Sequence, residues 1–204
     1  MTMCPSLLRS RRGSTAAEFV MVLPLLVILL FAIIDGGRFA WEYNRAEKAT
    51  QVGARMAVVT DVLSTGLRDN DYVGVIVGGE TIDPGERIPA DALGTIICDN
   101  SGCTCTGACA GIGSGYDAAA FTRLVDRMND IKPDIGPANV EVVYRGSGLG
   151  YAGDPTGMDL SPLVTVRLKD LQFQPITSLL LASFTMPSFT STLTAEDGVG
   201  VASN

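Results

Sequence analysis

The feature that most constrains this chain is an uncharged apolar run close to its N-terminus. Residues 19–34 contain no Asp, Glu, Lys or Arg and consist mainly of Val, Leu and Ile. Together with residues 14–18, the run is about 21 residues long, which gives roughly 31 Å of helix at about 1.5 Å per residue. That length matches a hydrocarbon core of about 30 Å. The sequence therefore predicts one membrane-spanning helix.

The charges around the run predict its orientation. Residues 1–13 hold three arginines, Arg9, Arg11 and Arg12, and no acidic residue, whereas the whole chain carries a net charge of −7. Basic residues flanking a span stay on the cytoplasmic side. We therefore expect a cytoplasmic N-terminus and an extracytoplasmic C-terminal region. The acidic balance also argues against a nucleic-acid partner, since nucleic-acid binders usually carry a basic face.

Three interpretations of the N-terminal segment compete. A secretory signal peptide requires small residues at fixed positions after its apolar region, and residues 35–41, Asp-Gly-Gly-Arg-Phe-Ala-Trp, fit that pattern poorly. An uncleaved signal anchor fits the hydropathy but leaves the residues around Gly13 unexplained. A basic leader that ends at Gly13, followed by a mature chain with Glu18 at its fifth position, accounts for them and is the favoured interpretation.

This pattern resembles that of type IV prepilins. Three longer blocks of the sequence point to a more specific family. Residues 11–26 read Arg-Arg-Gly-Ser-Thr-Ala-Ala-Glu-Phe-Val-Met-Val-Leu-Pro-Leu-Leu, residues 33–39 Ile-Ile-Asp-Gly-Gly-Arg-Phe and residues 49–55 Ala-Thr-Gln-Val-Gly-Ala-Arg. These blocks resemble the TadE-like family of minor pilins, which are components of tight-adherence pilus systems. Residues 162–168 and 193–197 are similar to the C-terminal end of that family, with lower specificity.

The resemblance implies a function and a set of partners. It implies that a prepilin peptidase cuts between Gly13 and Ser14 on the cytoplasmic side, often with N-methylation of the new amine. It further implies residence in the bacterial inner membrane, and assembly with other pilin subunits and the inner-membrane machinery into, or as a primer of, a tight-adherence type IV pilus. The alternative is an uncleaved single-pass envelope protein whose ectodomain binds a ligand or partner.

Glu18 and Pro24 are the predicted assembly residues of the helix. An ionised carboxylate inside a bilayer costs roughly 2.5–3.5 kcal/mol, but the amine of a cleaved Ser14 would lie one helical turn from Glu18. That amine, or the amine of a neighbouring subunit, would neutralise the carboxylate. The alternative is an interfacial glutamate that interacts with the positive end of the helix. Pro24 removes one backbone donor, and a kink there would ease packing against other helices; an accommodated proline without a role is the alternative.

The organisation of the chain follows from these signals. We expect a leader over residues 1–13, a transmembrane and assembly helix over 14–39, a helical continuation over 40–63 and an extracytoplasmic domain over 64–204. Trp41 and Tyr43 are placed as an interfacial aromatic belt would be. A stripe of small residues in the continuation is expected to pack on the chain's own sheet rather than on another subunit; its members are Ala46, Ala49, Gly53 and Ala57.

The C-terminal region predicts an α+β fold with a small antiparallel sheet packed against helices. An amphipathic helix is expected over residues 118–131, capped by Asp117. Alternating residues predict strands over 140–145, 163–168 and 189–194, and weaker patterns suggest strands over 72–77 and 94–98. The apolar stretch 171–184 is too short and too polar for a second span, so we expect a core element or a surface patch used in assembly.

Four cysteines fall within residues 98–109, while Cys4 lies in the predicted leader. In an exported domain, this cluster predicts two disulfides. A Cys103–Cys105 bond would close a very tight ring, which leaves Cys98–Cys103 with Cys105–Cys109, or Cys98–Cys105 with Cys103–Cys109. A metal site is the alternative, but the spacing lacks the paired C-x2-C of zinc ribbons.

The chain contains no histidine. Its absence removes the commonest general base and the usual metal ligand. No pattern of an activated nucleophile is present either. We therefore expect no enzyme activity, no cofactor and no metal, and a protein that acts through its lipid bilayer contact and through assembly.

Overall fold

The computed structural model describes residues 14–109, 111–155, 157–179 and 182–195. Its dominant element is helix α1, Ser14–Val59, which contains Pro24. The helix runs without a break through Gly36 and Gly37, although each glycine costs up to about 1 kcal/mol relative to alanine in a helix. The Thr60 hydroxyl donates a hydrogen bond to the Met56 carbonyl at 2.7 Å and thereby satisfies one of the last carbonyls of the helix.

The described chain divides into two compact units, and α1 contributes to both. The first unit contains α1 up to Trp41 and the segment Phe173–Phe184, named here the 173–184 segment. The second unit contains Glu42–Gln172 and the chain from Thr185 onward.

The second unit is built on a five-stranded antiparallel sheet with strand order β4-β3-β5-β6-β9. The elements after α1 follow in chain order: α2 Thr65–Arg68, β1 Ile76–Val77, β2 Glu80–Thr81, β3 Thr95–Asp99, β4 Gly102–Thr106, α3 Ala118–Asn129, β5 Val140–Arg145, β6 Leu163–Leu168, β7 Gln172–Phe173, β8 Phe184–Thr185 and β9 Phe189–Thr194. β1 pairs with β2, and β7 pairs with β8, in two further two-stranded sheets. A long helix with antiparallel sheets confirms the predicted α+β class.

The strongest sequence patterns predict the central elements correctly. β5, β6 and β9 occupy the expected residues, and in β6 half-buried and buried residues alternate as the sequence does. α3 buries Phe121, Leu124 and Met128 along one face. Its predicted cap is confirmed as well, since the Asp117 carboxylate accepts a hydrogen bond from the Ala120 N–H at 2.9 Å.

The second half of α1 packs inside the second unit. All four members of the small-residue stripe are buried. At Gly53 the neighbour is Met128, whose sulfur lies 2.7 Å from the position that a Cβ would occupy. The stripe therefore faces the chain's own interior, as predicted, and at Gly53 its neighbour is helix α3 rather than the sheet. The Arg45 guanidinium adds hydrogen bonds to the Ile131 carbonyl just after α3.

The region predicted as a strand over 72–77 differs from the prediction. Only Ile76 and Val77 form a strand. The Tyr72 N–H donates to the carboxylate of Asp159 at 2.9 Å, and the Val75 N–H donates to the Tyr72 carbonyl. Gly74 then takes a left-handed conformation with φ of 79°, which glycine adopts without steric cost. These bonds replace a strand ladder with a turn.

Candidate membrane-spanning and assembly helix

The first half of α1 is exposed along its whole apolar run. Every side chain from residue 16 to residue 34 is exposed, including Met21 at 78% and Leu25 at 69%. α1 is the one helix in the described part of the chain that is long and apolar enough to cross a membrane. A core helix of a water-soluble protein would be mostly buried in its own fold, so the run is not a core element of this chain.

The predicted assembly residues lie on this exposed half. Glu18 is an exposed residue four positions after Ser14, the first residue of α1, and Pro24 lies further along the same helix. Residues four apart are neighbours on one helix face. Gly13, the residue predicted to precede the cleavage site, lies outside the described residues.

A buried carboxylate marks the end of the apolar run, and sequence reasoning did not identify its role. Asp35 is only 7% exposed. Its carboxylate accepts hydrogen bonds from the Ile176 N–H at 2.7 Å, the Thr177 N–H at 3.0 Å and the Thr177 hydroxyl at 2.7 Å. Ile176 and Thr177 begin a short 3₁₀ helix, Ile176–Leu179. Asp35 therefore satisfies the first N–H groups of that helix, as a capping side chain does.

Arg38 strengthens this attachment from the next turn of α1. Its guanidinium donates to Asp35 Oδ1 at 3.3 Å and to the Gln174 carbonyl at 3.3 Å. The guanidinium carbon also lies 5.7 Å from the ring centroid of Phe173, within the range of a cation–π interaction. Asp35 and Arg38 of α1 thus hold the 173–184 segment by hydrogen bonds to the segment's backbone and by a contact with its Phe173 ring.

Three aromatic rings form the apolar part of the same contact. Phe39 lies 5.4 Å from Phe173 and 5.6 Å from Phe184 between ring centroids, and Phe173 lies 5.4 Å from Phe184. These separations are typical of favourable aromatic pairs. The rings, with Gly36 and Pro175, line a groove of about 340 Å³. Phe173, Pro175 and Thr177 are buried, as expected of a core element, whereas Ile176 and Phe184 remain exposed. A role of this surface in assembly stays a prediction.

The cysteine cluster forms two disulfides in the second unit. Cys98 on β3 is bonded to Cys103, its directly paired neighbour on β4, and Cys105 is bonded to Cys109. This is one of the two pairings that the sequence left open. Cys98 is fully buried, so the first bond joins the core of the sheet to its edge strand β4, and the second fixes the chain that leaves that strand.

The glycine-rich loop before β6 is organised by Asp159. Its carboxylate accepts hydrogen bonds from the N–H groups of Tyr72, Gly153 and Asp154 at 2.9–3.0 Å. The oxygens of Asp159 thus serve as acceptors for backbone donors. Within the described ranges, no group of three or more metal-ligating side chains is assembled.

The fold and the exposed run together define a class, namely an α+β protein with one candidate membrane-spanning helix among its described residues. Residues 13–55 of this chain match the family model of the TadE-like protein. This match covers the N-terminal segment and supports an assignment to the TadE-like pilin family and an association with the Tad pilus. Comparison with curated proteins and with solved structures gives no match.

Proposed function

We propose that this protein is a minor pilin of a tight-adherence type IV pilus. It is inserted in the inner membrane with its N-terminus inside, trimmed by a prepilin peptidase between Gly13 and Ser14, and then assembled with other pilin subunits. The observation that supports this most is the coincidence of two features in one segment. The family match over residues 13–55 includes Gly13, Glu18 and the complete apolar run, and that run is exposed from end to end.

Insertion depends on the apolar half of α1. Its side chains lack contacts that would bury them in their own fold, so lipid or other pilin helices must cover them. Pro24 is tolerated in such a helix, and its missing N–H leaves a local weakness at which the helix can bend to fit its neighbours.

Glu18 links processing to assembly. Its carboxylate is costly in the apolar phase unless it is neutralised. The uncleaved chain has no amine at residue 14, whereas cleavage creates one on the same helix face at an axial distance of about 6 Å. The new amine can neutralise Glu18 within one chain or in an adjacent subunit. The protein therefore acts through helix packing and charge pairing rather than through catalysis.

The role of Glu18 can be tested in cells that assemble the pilus. We expect Glu18→Ala to leave the amount of protein in the membrane fraction unchanged and to lower the amount in sheared pili by about tenfold, the effect of losing about 1.4 kcal/mol per contact. Glu47→Ala is the matched control, because Glu47 is also an exposed glutamate of α1. A defect in insertion without a defect in assembly, or equal defects in both variants, would contradict the proposed role.

The N-terminal residue of the mature protein separates the two functional hypotheses. Intact-mass analysis of protein from its native membrane should give a chain that begins at Ser14, with or without one methyl group. A chain that still begins near Met1 would instead favour the uncleaved envelope protein with a binding ectodomain.

A further inference from the structure

The 173–184 segment lies at a defined height along the membrane helix. Asp35, to which it is bonded, is the first charged residue after Glu18. Asp35 follows Glu18 by 17 positions, which corresponds to roughly 25 Å of helix, slightly less than a hydrocarbon core of about 30 Å. When the apolar run spans the bilayer, Asp35 and the groove beside it are therefore at the boundary between acyl chains and headgroups.

At this height, both α1 and the 173–184 segment expose apolar side chains. Ile33 and Ile34 of α1 are 64% and 48% exposed, and Ile176 and Phe184 of the segment are 52% and 46% exposed. No charged residue occurs anywhere from Leu171 to Ala195. An exposed apolar surface that adjoins the membrane span would be unfavourable in water.

Several polar groups in the first half of the segment have hydrogen-bond partners within the first unit. The N–H groups of Ile176 and Thr177 and the Thr177 hydroxyl all donate to Asp35, and the Gln174 carbonyl accepts from Arg38. Backbone groups that enter the apolar region must have internal partners. The bonded groups around Ile176 and Thr177 thus meet the requirement for contact with lipid. The Arg38 guanidinium, which is bonded to Asp35 and Gln174, is partly exposed, as suits a cationic head near the headgroup layer.

We propose that the 173–184 segment is a second membrane contact, in which Ile176, Phe184 and the groove beside Gly36 are covered by the acyl chains of the outer leaflet. Lipid is the favoured occupant because the groove is continuous with the apolar surface of the span. The groove belongs to the same unit as the span, and its first residues directly follow Ile33 and Ile34 along α1. The proposal requires only the membrane span. It does not depend on cleavage at Gly13 or on incorporation into a pilus.

The depth of residue 176 in the bilayer tests this proposal. Trp41 is the only tryptophan and is exposed, so Trp41→Phe gives a background free of indole. I176W is then introduced into full-length protein, which is reconstituted at high dilution into vesicles of phosphatidylethanolamine and phosphatidylglycerol. I76W serves as the matched control, since Ile76 is 69% exposed but belongs to the second unit.

The expected result is a blue-shifted emission of I176W that loses most of its intensity when the acyl chains carry bromine, with little change for I76W. Quenching of neither variant would overturn the proposal, as would equal quenching of both, which would mean general adsorption. A blue shift of I176W that appears only at high protein-to-lipid ratio, without quenching by bromine, would identify another protein copy as the occupant and would also overturn it. N-terminal sequencing of the same preparations shows whether the chain was cleaved after Gly13, so the result for lipid contact is read separately from the result for prepilin processing.

Discussion

Replacing Asp35 by alanine should release the 173–184 segment from α1. The carboxylate is the acceptor for the Ile176 and Thr177 N–H groups and for the Thr177 hydroxyl. Thr177 is buried, so its donors would lose their acceptor in a place with little access to water. Arg38 would lose one partner but keep its bond to the Gln174 carbonyl.

The size of the effect follows from the number of donors left without an acceptor. A buried polar group without a partner costs about 1–3 kcal/mol, and hydrogen bonds to a charged acceptor contribute about 1.5–3 kcal/mol. Since the segment can relax once it is released, we expect the free energy of its local opening to fall by about 2–4 kcal/mol. This corresponds to roughly 30- to 1000-fold faster amide exchange at Ile176 and Thr177.

Hydrogen–deuterium exchange of the full-length protein in lipid nanodiscs, read by mass spectrometry on peptides that cover residues 173–179, measures this opening. Asp69→Ala is the control, because the Asp69 side chain is 66% exposed and pairs with Arg68 on the surface, where such pairs contribute little. Unchanged exchange at Ile176 and Thr177 in Asp35→Ala would refute the reasoning. Equal acceleration in strand β6 would show global unfolding instead of local release.

Three further outcomes are expected. Gly13→Leu should block trimming, which would appear as an unprocessed mass, whereas the milder Gly13→Ala should reduce it less. Burial raises the pKa of Tyr72 to about 12 and that of Tyr144 still further; because the unfolded phenol ionises near pH 10, the stabilisation is complete below that pH and is lost as the pH rises to about 12. Tyr72→Phe should therefore reduce the loss between pH 10 and pH 12 by up to about 2–3 kcal/mol in denaturant titrations. Replacing Cys105 and Cys109 by serine should lower the free energy of unfolding by less than about 3 kcal/mol, the value for a 15-residue ring, because the ring is so short.

The elements that the sequence predicted well are those whose patterns are local. The alternation in β5 and β6 and the apolar face of α3 repeat within a few residues, so they can be read without knowledge of the tertiary fold. The turn after Tyr72 could not be found in this way. It depends on Asp159, 87 positions further along the chain, and a strand-like composition over residues 72–77 does not reveal that partner.

The same distinction applies to the candidate site. The membrane run and Glu18 stand out because length, hydropathy and the position relative to Gly13 are properties of adjacent residues. The contact between Asp35 and Thr177 joins residues 142 positions apart, and no spacing rule connects them. The available signals were a carboxylate directly after the apolar run and an uncharged stretch from Leu171 to Ala195, and neither of them identifies the bond.

The long separation between Asp35 and Thr177 also imposes an order on biogenesis. Helix α1 is synthesised well before the residues that complete the first unit, because Phe173–Phe184 lie more than 100 positions after its end. A chain interrupted before residue 173 can insert α1 but has nothing to bond to Asp35 or to stack on Phe39. Closure of this contact therefore marks a chain that has been synthesised beyond Thr177, and shorter products are left with an Asp35 carboxylate that lacks these hydrogen-bond donors.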